Sequence, residues 1–254
     1  MDLSDFKLPQ YYQHDLLVHS YEVDLNQRLS ITSIFNYLQE IAWEHAKRLK
    51  YGWDDLNERG WFWALSRVEV EIHRLPQWTE KIRLLTWPRI ADGLFALRDF
   101  EIYDAQGEKI IAATSSWLVV NIQNRRPVRV GEWYNEFDYS KREALGRMAS
   151  KISDSGTNPV FSEKLEVRIG DIDMNQHVNN VRYIDWAYNT FSFGHYKQYT
   201  PKTVIVNFNA EARASDVISV DLFDMPEQSN IVNINRVSDS KNLCKLHFRW
   251  SKED

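Results

Sequence analysis

Three polar residues alternate along a short loop in the second half of the chain: Asp173, Asn175 and His177. A run with helical spacing begins directly after them, so a carboxylate, an amide and an imidazole stand before a helix N-terminus. Backbone N–H groups at that end of a helix favour developing negative charge. A carboxylate or imidazole can activate water, and suitably placed donors can hold an oxyanion. The pattern therefore favours hydrolysis of an activated acyl group.

Each side chain has a candidate role in such a hydrolysis. Asp173 either activates the water or attacks the carbonyl carbon itself, and the sequence leaves both alternatives open. Asn175 holds the water or the acyl oxygen, since an amide both donates and accepts. His177 orients a partner, donates to the oxyanion or protonates the leaving group. The backbone N–H groups of residues 178–180 are candidate oxyanion donors. From spacing alone, however, Asp and Asn before a helix are more often caps than catalysts.

The segment around this loop closely resembles the active-site segment of the acyl-[acyl-carrier-protein] (acyl-ACP) thioesterases. The resembling residues are DIDMNQHVNNVRYIDW (171–186), and three further segments match in the same order: WALSRVEVE (63–71), WLVVNIQNRR (117–126) and FNAEARASD (208–216). The resemblance covers most of the 254 residues. It implies an α+β fold of the tandem hotdog type, in which each half is a long helix wrapped by a curved antiparallel sheet.

The resemblance also implies a reaction and a set of site residues. The reaction is hydrolysis of fatty acyl-ACP thioesters to free fatty acid and holo-ACP in fatty acid biosynthesis, with no metal or organic cofactor. Asp173, Asn175 and His177 fall on the catalytic positions of the family. Glu211 matches the family's glutamate, and we expect it on a strand before an Ala-Ser-Asp turn. Plant relatives often have Cys directly after that glutamate, but this chain has Ala212, so a thiolate nucleophile is not expected.

An internal repeat supports a doubled architecture without reference to any family. VDLNQR (23–28) echoes IDMNQH (172–177), and the two aspartates are 149 residues apart. Self-similarity at a long period predicts a duplicated domain. Arg28 stands where the second copy has His177, so we expect only the second copy to be catalytic.

The predicted organisation follows from this repeat and from a change of composition between the copies. We expect an N-terminal, acyl-chain-binding hotdog domain over residues 1–140 and a catalytic one over 159–254. A linker over 141–158 would contain a short exposed helix over 140–151. Hydrophobic periodicity predicts helices over 31–50, capped by Ser30, and 179–193. Alternation predicts strands over 62–73, 81–87, 94–103, 109–122, 163–169, 202–213, 216–224, 231–238 and 243–251.

Composition limits the partners and the location. The net charge of −5 argues against nucleic-acid binding, which depends on a cationic surface. No apolar run approaches the roughly 18 residues of a membrane span. The single cysteine, Cys244, allows no disulfide within the chain, and the N-terminal residues do not resemble a secretion or transit signal. We therefore expect a cytoplasmic protein, bacterial or in mature form, that is a monomer or a homodimer.

The expected partner, acyl carrier protein, is acidic, so docking should use a local basic patch. Two candidate patches are present. One is the turn that contains Arg125, Arg126 and Arg129, and the other is the basic set of the linker, Lys141, Arg142, Arg147 and Lys151.

Two alternative functions remain open at this stage. A hotdog acyl-CoA thioesterase would have the same site and a different carrier. A non-catalytic acyl-binding or regulatory hotdog protein would bind the chain without releasing a thiol.

Overall fold

The computed structural model describes residues 10–130, 134, 141–153, 156 and 158–252. The chain divides into two compact units, Met1–Ala149 and Ser150–Asp254, and this division falls inside the predicted linker. Each unit contains helices and an antiparallel sheet. The predicted α+β class is therefore confirmed. None of the helices in the described ranges is long and apolar enough to cross a membrane.

The first unit packs one long helix against an antiparallel sheet. Within the described ranges, its longer helices are α1 (Ile31–Arg48) and α2 (Trp53–Asn57), and its strands are β1 (Tyr12–Leu17), β2 (Trp61–Ile72), β3 (Lys81–Asp92), β4 (Phe95–Tyr103), β5 (Lys109–Asn121) and β6 (Pro127–Val128). The strand order is β1-β3-β4-β5-β2, with β6 paired to β5.

Helix α1 confirms the prediction from periodicity. Ser30 caps its start by accepting a hydrogen bond from the Ser33 N–H, as expected for a serine at this position. The helix buries one apolar face, made of Ile31, Ile34, Phe35, Leu38, Ile41 and Ala42. Strand β1 and helix α2 were not predicted, because each is too short for hydrophobic periodicity to show it.

Residues 141–149 contact buried carboxylates that β2 and β4 carry. Arg142 pairs with Glu101, and Arg147 pairs with Glu69. The Ala144 N–H donates to the Asp99 carboxylate at 2.7 Å.

The short helix expected over 140–151 is wrong for its described part, residues 141–151, which contain no helix. The backbone of this segment bonds to side chains of the sheet instead of to itself, since the carbonyl of Arg142 accepts from Trp87 and that of Arg147 accepts from Arg89. These contacts argue against the linker as the carrier-docking patch, because its two arginines already pair with carboxylates of their own unit.

The buried carboxylate of Asp99 predicts a pH-dependent stability difference. Burial raises the pKa of Asp99 above its ordinary value of 3.8. The folded state therefore binds this proton more tightly than the unfolded state, so the charged form costs stability at neutral pH and the cost disappears as the pH falls. Asp99→Asn has no charge to desolvate and keeps an oxygen for the Ala144 N–H. We expect wild type to gain stability relative to Asp99→Asn between about pH 7 and about pH 4 in urea denaturation. A difference that does not change with pH would contradict this assignment.

The second unit repeats the helix-and-sheet arrangement. Its helices are α3 (Asn180–Tyr188) and α4 (Phe193–Gln198), and its strands are β7 (Phe161–Glu166), β8 (Tyr199–Phe208), β9 (Val217–Met225), β10 (Ser229–Arg236) and β11 (Asn242–Lys252). The order is β8-β11-β10-β9-β7.

The helix predicted over 179–193 is shorter than expected, because α3 covers Asn180–Tyr188 and α4 begins only at Phe193, the last residue of the predicted range. Helix α3 ends at Tyr188, the Thr190 hydroxyl bonds back to the Ala187 carbonyl, and Ser192 caps the start of α4. Side-chain oxygens of this kind compete with continued helix, which explains the break.

The apolar face predicted for the last strand is confirmed. Cys244 is fully buried there together with Leu246 and Phe248. Burial raises the pKa of the Cys244 thiol well above its ordinary value, so this side chain is inert as a nucleophile.

Candidate active site

The loop before α3 is a tight turn closed by backbone hydrogen bonds. The Asp173 N–H donates to the His177 carbonyl at 2.8 Å, and the Gln176 N–H donates to the Asp173 carbonyl at 3.0 Å. Gln176 has a φ of 63°, in the left-handed region that the turn requires. Ile172 and Val178 pair as a single β-bridge across its base.

The carboxylate of Asp173 holds this turn from inside. Its Oδ1 accepts from the Asn175 N–H at 2.8 Å and more weakly from the His177 N–H at 3.4 Å. Aspartate is suited to this position because its short side chain can bond the backbone two residues ahead. Before any chemistry, Asp173 therefore has a structural function in the loop.

His177 and Glu211 meet in the folded chain. His177 Nε2 lies 3.3 Å from Glu211 Oε2, and the two side chains are 23% and 40% exposed. The pair is thus open to a substrate and to water. Glu211 lies in the connection between β8, which ends at Phe208, and β9, so its expected position on a strand is wrong.

Three contacts fix the segment that carries Glu211. The Ala212 N–H donates to the buried Tyr183 hydroxyl at 3.0 Å, and the Val178 N–H donates to the Ala212 carbonyl at 3.2 Å. Arg236 donates to the carbonyl of Glu211. Burial raises the pKa of Tyr183 above its ordinary value of 10.0, so its hydroxyl stays neutral and can accept this bond. The buried Tyr183 therefore positions the segment that carries the glutamate.

Two of the candidate oxyanion donors are already engaged. The Val178 N–H bonds to Ala212, and the Asn179 N–H donates to the Asp171 carbonyl at 2.9 Å. The Asn179 side chain caps α3 by accepting from the Val181 N–H. The expectation that residues 178 and 179 supply oxyanion donors is therefore wrong, because both N–H groups stabilise the loop.

The first unit contains the same turn, which tests the internal repeat. The Asp24 N–H donates to the Arg28 carbonyl at 2.7 Å, and the Gln27 N–H donates to the Asp24 carbonyl at 3.0 Å. The φ of Gln27 is 60°, and Asp24 Oδ1 accepts from the N–H groups of Asn26 and Arg28 at 2.8 and 3.0 Å. The repeat read from the sequence is a true structural duplication.

The anchor of the turn is duplicated as well. In the first unit the Leu29 N–H donates to the Pro76 carbonyl at 2.7 Å, as the Val178 N–H does to Ala212 in the second. Pro76 and Ala212 are therefore equivalent positions, although the intervening chain differs in length.

This equivalence shows what separates the two copies. The residue before the anchor is Glu211 in the second unit and the buried Leu75 in the first. His177 corresponds to Arg28, whose guanidinium lies 3.6 Å from the Asp24 carboxylate. The histidine and the glutamate are both missing from the first copy, whereas the aspartate that holds the turn is present in both. A sequence repeat alone could not reveal the Leu75 and Glu211 correspondence.

The arrangement in the second unit suits proton transfer. A carboxylate beside an imidazole can orient its ring by accepting a hydrogen bond from a ring N–H. His177 can then take part in proton transfer to a leaving group. Each unit is a hotdog domain, so the fold and site define a tandem hotdog protein whose second unit carries the His177–Glu211 pair.

Comparison with known proteins agrees with this class. The sequence-family model of the acyl-ACP thioesterase N-terminal domain matches residues 9–137 of this chain. The family model of the C-terminal domain matches residues 155–252. The chain belongs to the acyl-ACP thioesterase family.

Relatives and solved structures extend the comparison. The chain is 27% identical to oleoyl-acyl carrier protein thioesterase 2, chloroplastic, of Arabidopsis thaliana, over 82% of this chain and 61% of the relative. It is 26% identical to the chloroplastic oleoyl-acyl carrier protein thioesterase of Coriandrum sativum, over 89% and 65%. The crystal structure of an acyl-ACP thioesterase from Bacteroides thetaiotaomicron superposes with a TM-score of 0.88 at 26% identity, and covers 95% of this chain and 98% of that one.

The turn predicts a matched pair of stability effects. Asp173→Ala removes an acceptor shared by two backbone N–H groups, so we expect a loss of about 1 kcal/mol in the free energy of unfolding. Asp24→Ala should lose a similar amount, because its carboxylate accepts from the two corresponding backbone N–H groups. Asp173→Asn keeps an acceptor and should lose clearly less. Urea denaturation measures all three variants. Full stability of Asp173→Ala would show that the carboxylate does not hold the loop.

The contact with Tyr183 predicts a local effect on the glutamate segment. Tyr183→Phe leaves the Ala212 N–H without its acceptor, which costs about 1–3 kcal/mol when the donor stays buried. We expect faster hydrogen exchange at the Ala212 amide. Tyr196→Phe, which loses a bond to the carbonyl of Tyr188, is the control and should leave that amide protected. Equal protection in wild type and Tyr183→Phe would contradict the positioning role.

Proposed function

We propose that this protein hydrolyses fatty acyl-ACP thioesters to a free fatty acid and holo-ACP. Membership of the family supports the reaction class, and the 3.3 Å contact between His177 and Glu211 is the observation that carries the proposal. The chain spans 61% and 65% of the length of the two oleoyl thioesterase relatives. Their names give the substrate class, and the site residues of this chain supply a chemistry for it.

The proposed mechanism begins at the aspartate. One oxygen of Asp173 is held by backbone N–H groups, which fixes the orientation of the carboxylate in the turn. The carboxylate takes a proton from water as the water oxygen attacks the thioester carbonyl carbon. The amide of Asn175 donates to the carbonyl oxygen, on which negative charge develops.

Collapse of the tetrahedral intermediate breaks the carbon–sulfur bond. The imidazolium of His177, stabilised by Glu211, gives its proton to the departing thiolate. The proton on Asp173 then passes to His177 and restores the starting state. Water supplies the hydroxyl of the acid and the hydrogen of the thiol, so atoms and charges balance without a cofactor.

The catalytic prediction uses the non-catalytic copy as its control. Asp173→Asn keeps the acceptor of the turn and removes the charge, so we expect kcat to fall by about 10² or more while the fold is kept. Asp24→Asn makes the same change in the first unit and should leave kcat unchanged. Thiol release from acyl-ACP measures both variants. Near-normal turnover in Asp173→Asn would overturn the role of the aspartate as a base or nucleophile.

Substitution of the histidine or of the glutamate should lower kcat in the same assay. We expect His177→Ala to lose about 10² or more in kcat, and Glu211→Gln to lose about tenfold, since Gln can still orient the ring but does not stabilise its charge. Comparison of matched acyl-ACP and acyl-CoA substrates separates the proposed carrier from the alternative one. Tight acyl binding without thiol release would instead support the non-catalytic alternative.

Several expectations stay predictions. These are the cytoplasmic location, the state as a monomer or homodimer, the acyl-chain site in the first unit, and the exact acyl-ACP hydrolase class. The two plant relatives are named as chloroplastic proteins, and that location applies to those proteins.

A further inference from the structure

Two exposed arginines flank the segments that form the site. Arg168 follows β7, and Arg213 comes two residues after Glu211 in the chain. Among the described residues, neither guanidinium is within ion-pair distance of a carboxylate. The neighbouring arginines differ, since Arg182 pairs with Asp171 and Arg236 with Asp216. Asp171 and Asp216 thus already have arginine partners, and the two exposed arginines keep their charge for a ligand.

Backbone bonds hold these two arginines in the same part of the unit. The Val167 N–H donates to the Asp216 carbonyl at 2.9 Å, and the Ser215 N–H donates to the Val167 carbonyl at 3.0 Å. Arg168 and Arg213 each lie within two residues of these contacts. The two segments that carry these arginines are therefore joined to each other, and one of them also carries Glu211.

The same part of the unit exposes two large apolar side chains. Ile169 is 87% exposed and Met174, at the tip of the active loop, is 78% exposed. A phosphate or another small anion would leave both uncovered. Exposed apolar residues between cations are instead typical of a surface that a protein partner covers.

The first unit again serves as an internal comparison. The positions equivalent to Arg168 and Arg213 are occupied by His19 and Gln77, and His19 Nδ1 lies 3.1 Å from Glu22. The inactive copy therefore lacks both unpaired cations. The two arginines occur in the copy that has the histidine–glutamate pair.

We infer that Arg168, Ile169, Met174 and Arg213 form the docking surface for an acidic carrier protein, which we call the arginine rim. The inference rests on the proposed function and deepens it by naming where the carrier binds. The whole chain has a net charge of −5, so an acidic partner is repelled at long range and must be received by a local positive surface. Cations at such a rim act mainly on the rate of encounter, and their effect is screened by salt.

The test reverses charge at the rim and at a matched position. Arg168→Glu/Arg213→Glu should lower kcat/KM on acyl-ACP by about tenfold or more at low salt, and this loss should shrink as salt is raised. The variant Arg249→Glu/Lys252→Glu changes the net charge equally, at exposed positions toward the other end of β11, and should keep the wild-type value. Both variants should hydrolyse acyl-pantetheine, which has neither phosphate nor carrier, as wild type does.

Other substrates and direct binding distinguish the possible failures. An equal loss on acyl-CoA and acyl-ACP would overturn carrier docking in favour of phosphate recognition. If the Arg249→Glu/Lys252→Glu control loses as much kcat/KM on acyl-ACP, the effect comes from net charge and the inference fails. If Arg168→Glu/Arg213→Glu keeps the wild-type kcat/KM, the inference also fails. Binding of an acyl-ACP with an amide in place of the thioester is measured in parallel. If wild type binds this analogue through the rim but releases no thiol from acyl-ACP, the docking surface stands and the proposed function fails.

Discussion

The aspartate carboxylate that holds the tight turn is the interaction on which the rest of the site depends. Five consecutive residues, 173–177, must reverse direction and still satisfy their backbone N–H groups, and unmet donors of this kind are costly. Asp173 supplies the missing acceptor from within the loop. Because the turn is closed in this way, the imidazole of His177 projects beside the connection that carries Glu211. The position of the histidine is therefore a consequence of backbone hydrogen bonding.

The duplicated domain shows which residues of the turn are structural and which are specific to the candidate active site. Asp24 and Asp173 form the same turn, so a shared aspartate is evidence for the turn and not by itself for catalysis. The functional difference lies in the residues that change between the copies. Arg28 forms an ion pair with Asp24 in the first copy, whereas His177 contacts a second carboxylate, that of Glu211. One scaffold thus serves as a structural element in one unit and as a candidate active site in the other.

Residues 141–149 show how a polar segment can be ordered without secondary structure. Glu69, Asp99 and Glu101 are buried under this segment, and burying carboxylates is costly unless they are paired. Arg142 and Arg147 provide two of the necessary charges. The same arginines were candidates for carrier docking. Because they pair with carboxylates of their own unit, other, exposed cations are better placed to bind an acidic partner.

The sequence by itself determined the elements whose signal is local. Helix α1 and its cap at Ser30, the alternation of β11, the repeat of the Asp-x-Asn turn and the family resemblance could all be read from neighbouring residues. Periodicity, capping and turn chemistry act over a few positions, which is why they are visible in a single chain. The same locality made the boundary of α3 wrong, since competing side-chain bonds near Thr190 are specific to the folded geometry.

Only the tertiary structure decided which residues meet. The contact of His177 with Glu211, the support of that segment by Tyr183 and Arg236, and the replacement of the glutamate by Leu75 in the first copy join positions far apart in the chain. Their separation differs between the two copies, so no fixed spacing reveals them. Long-range hydrogen bonds and packing set these distances, and they exist only once the sheet has brought its connections together.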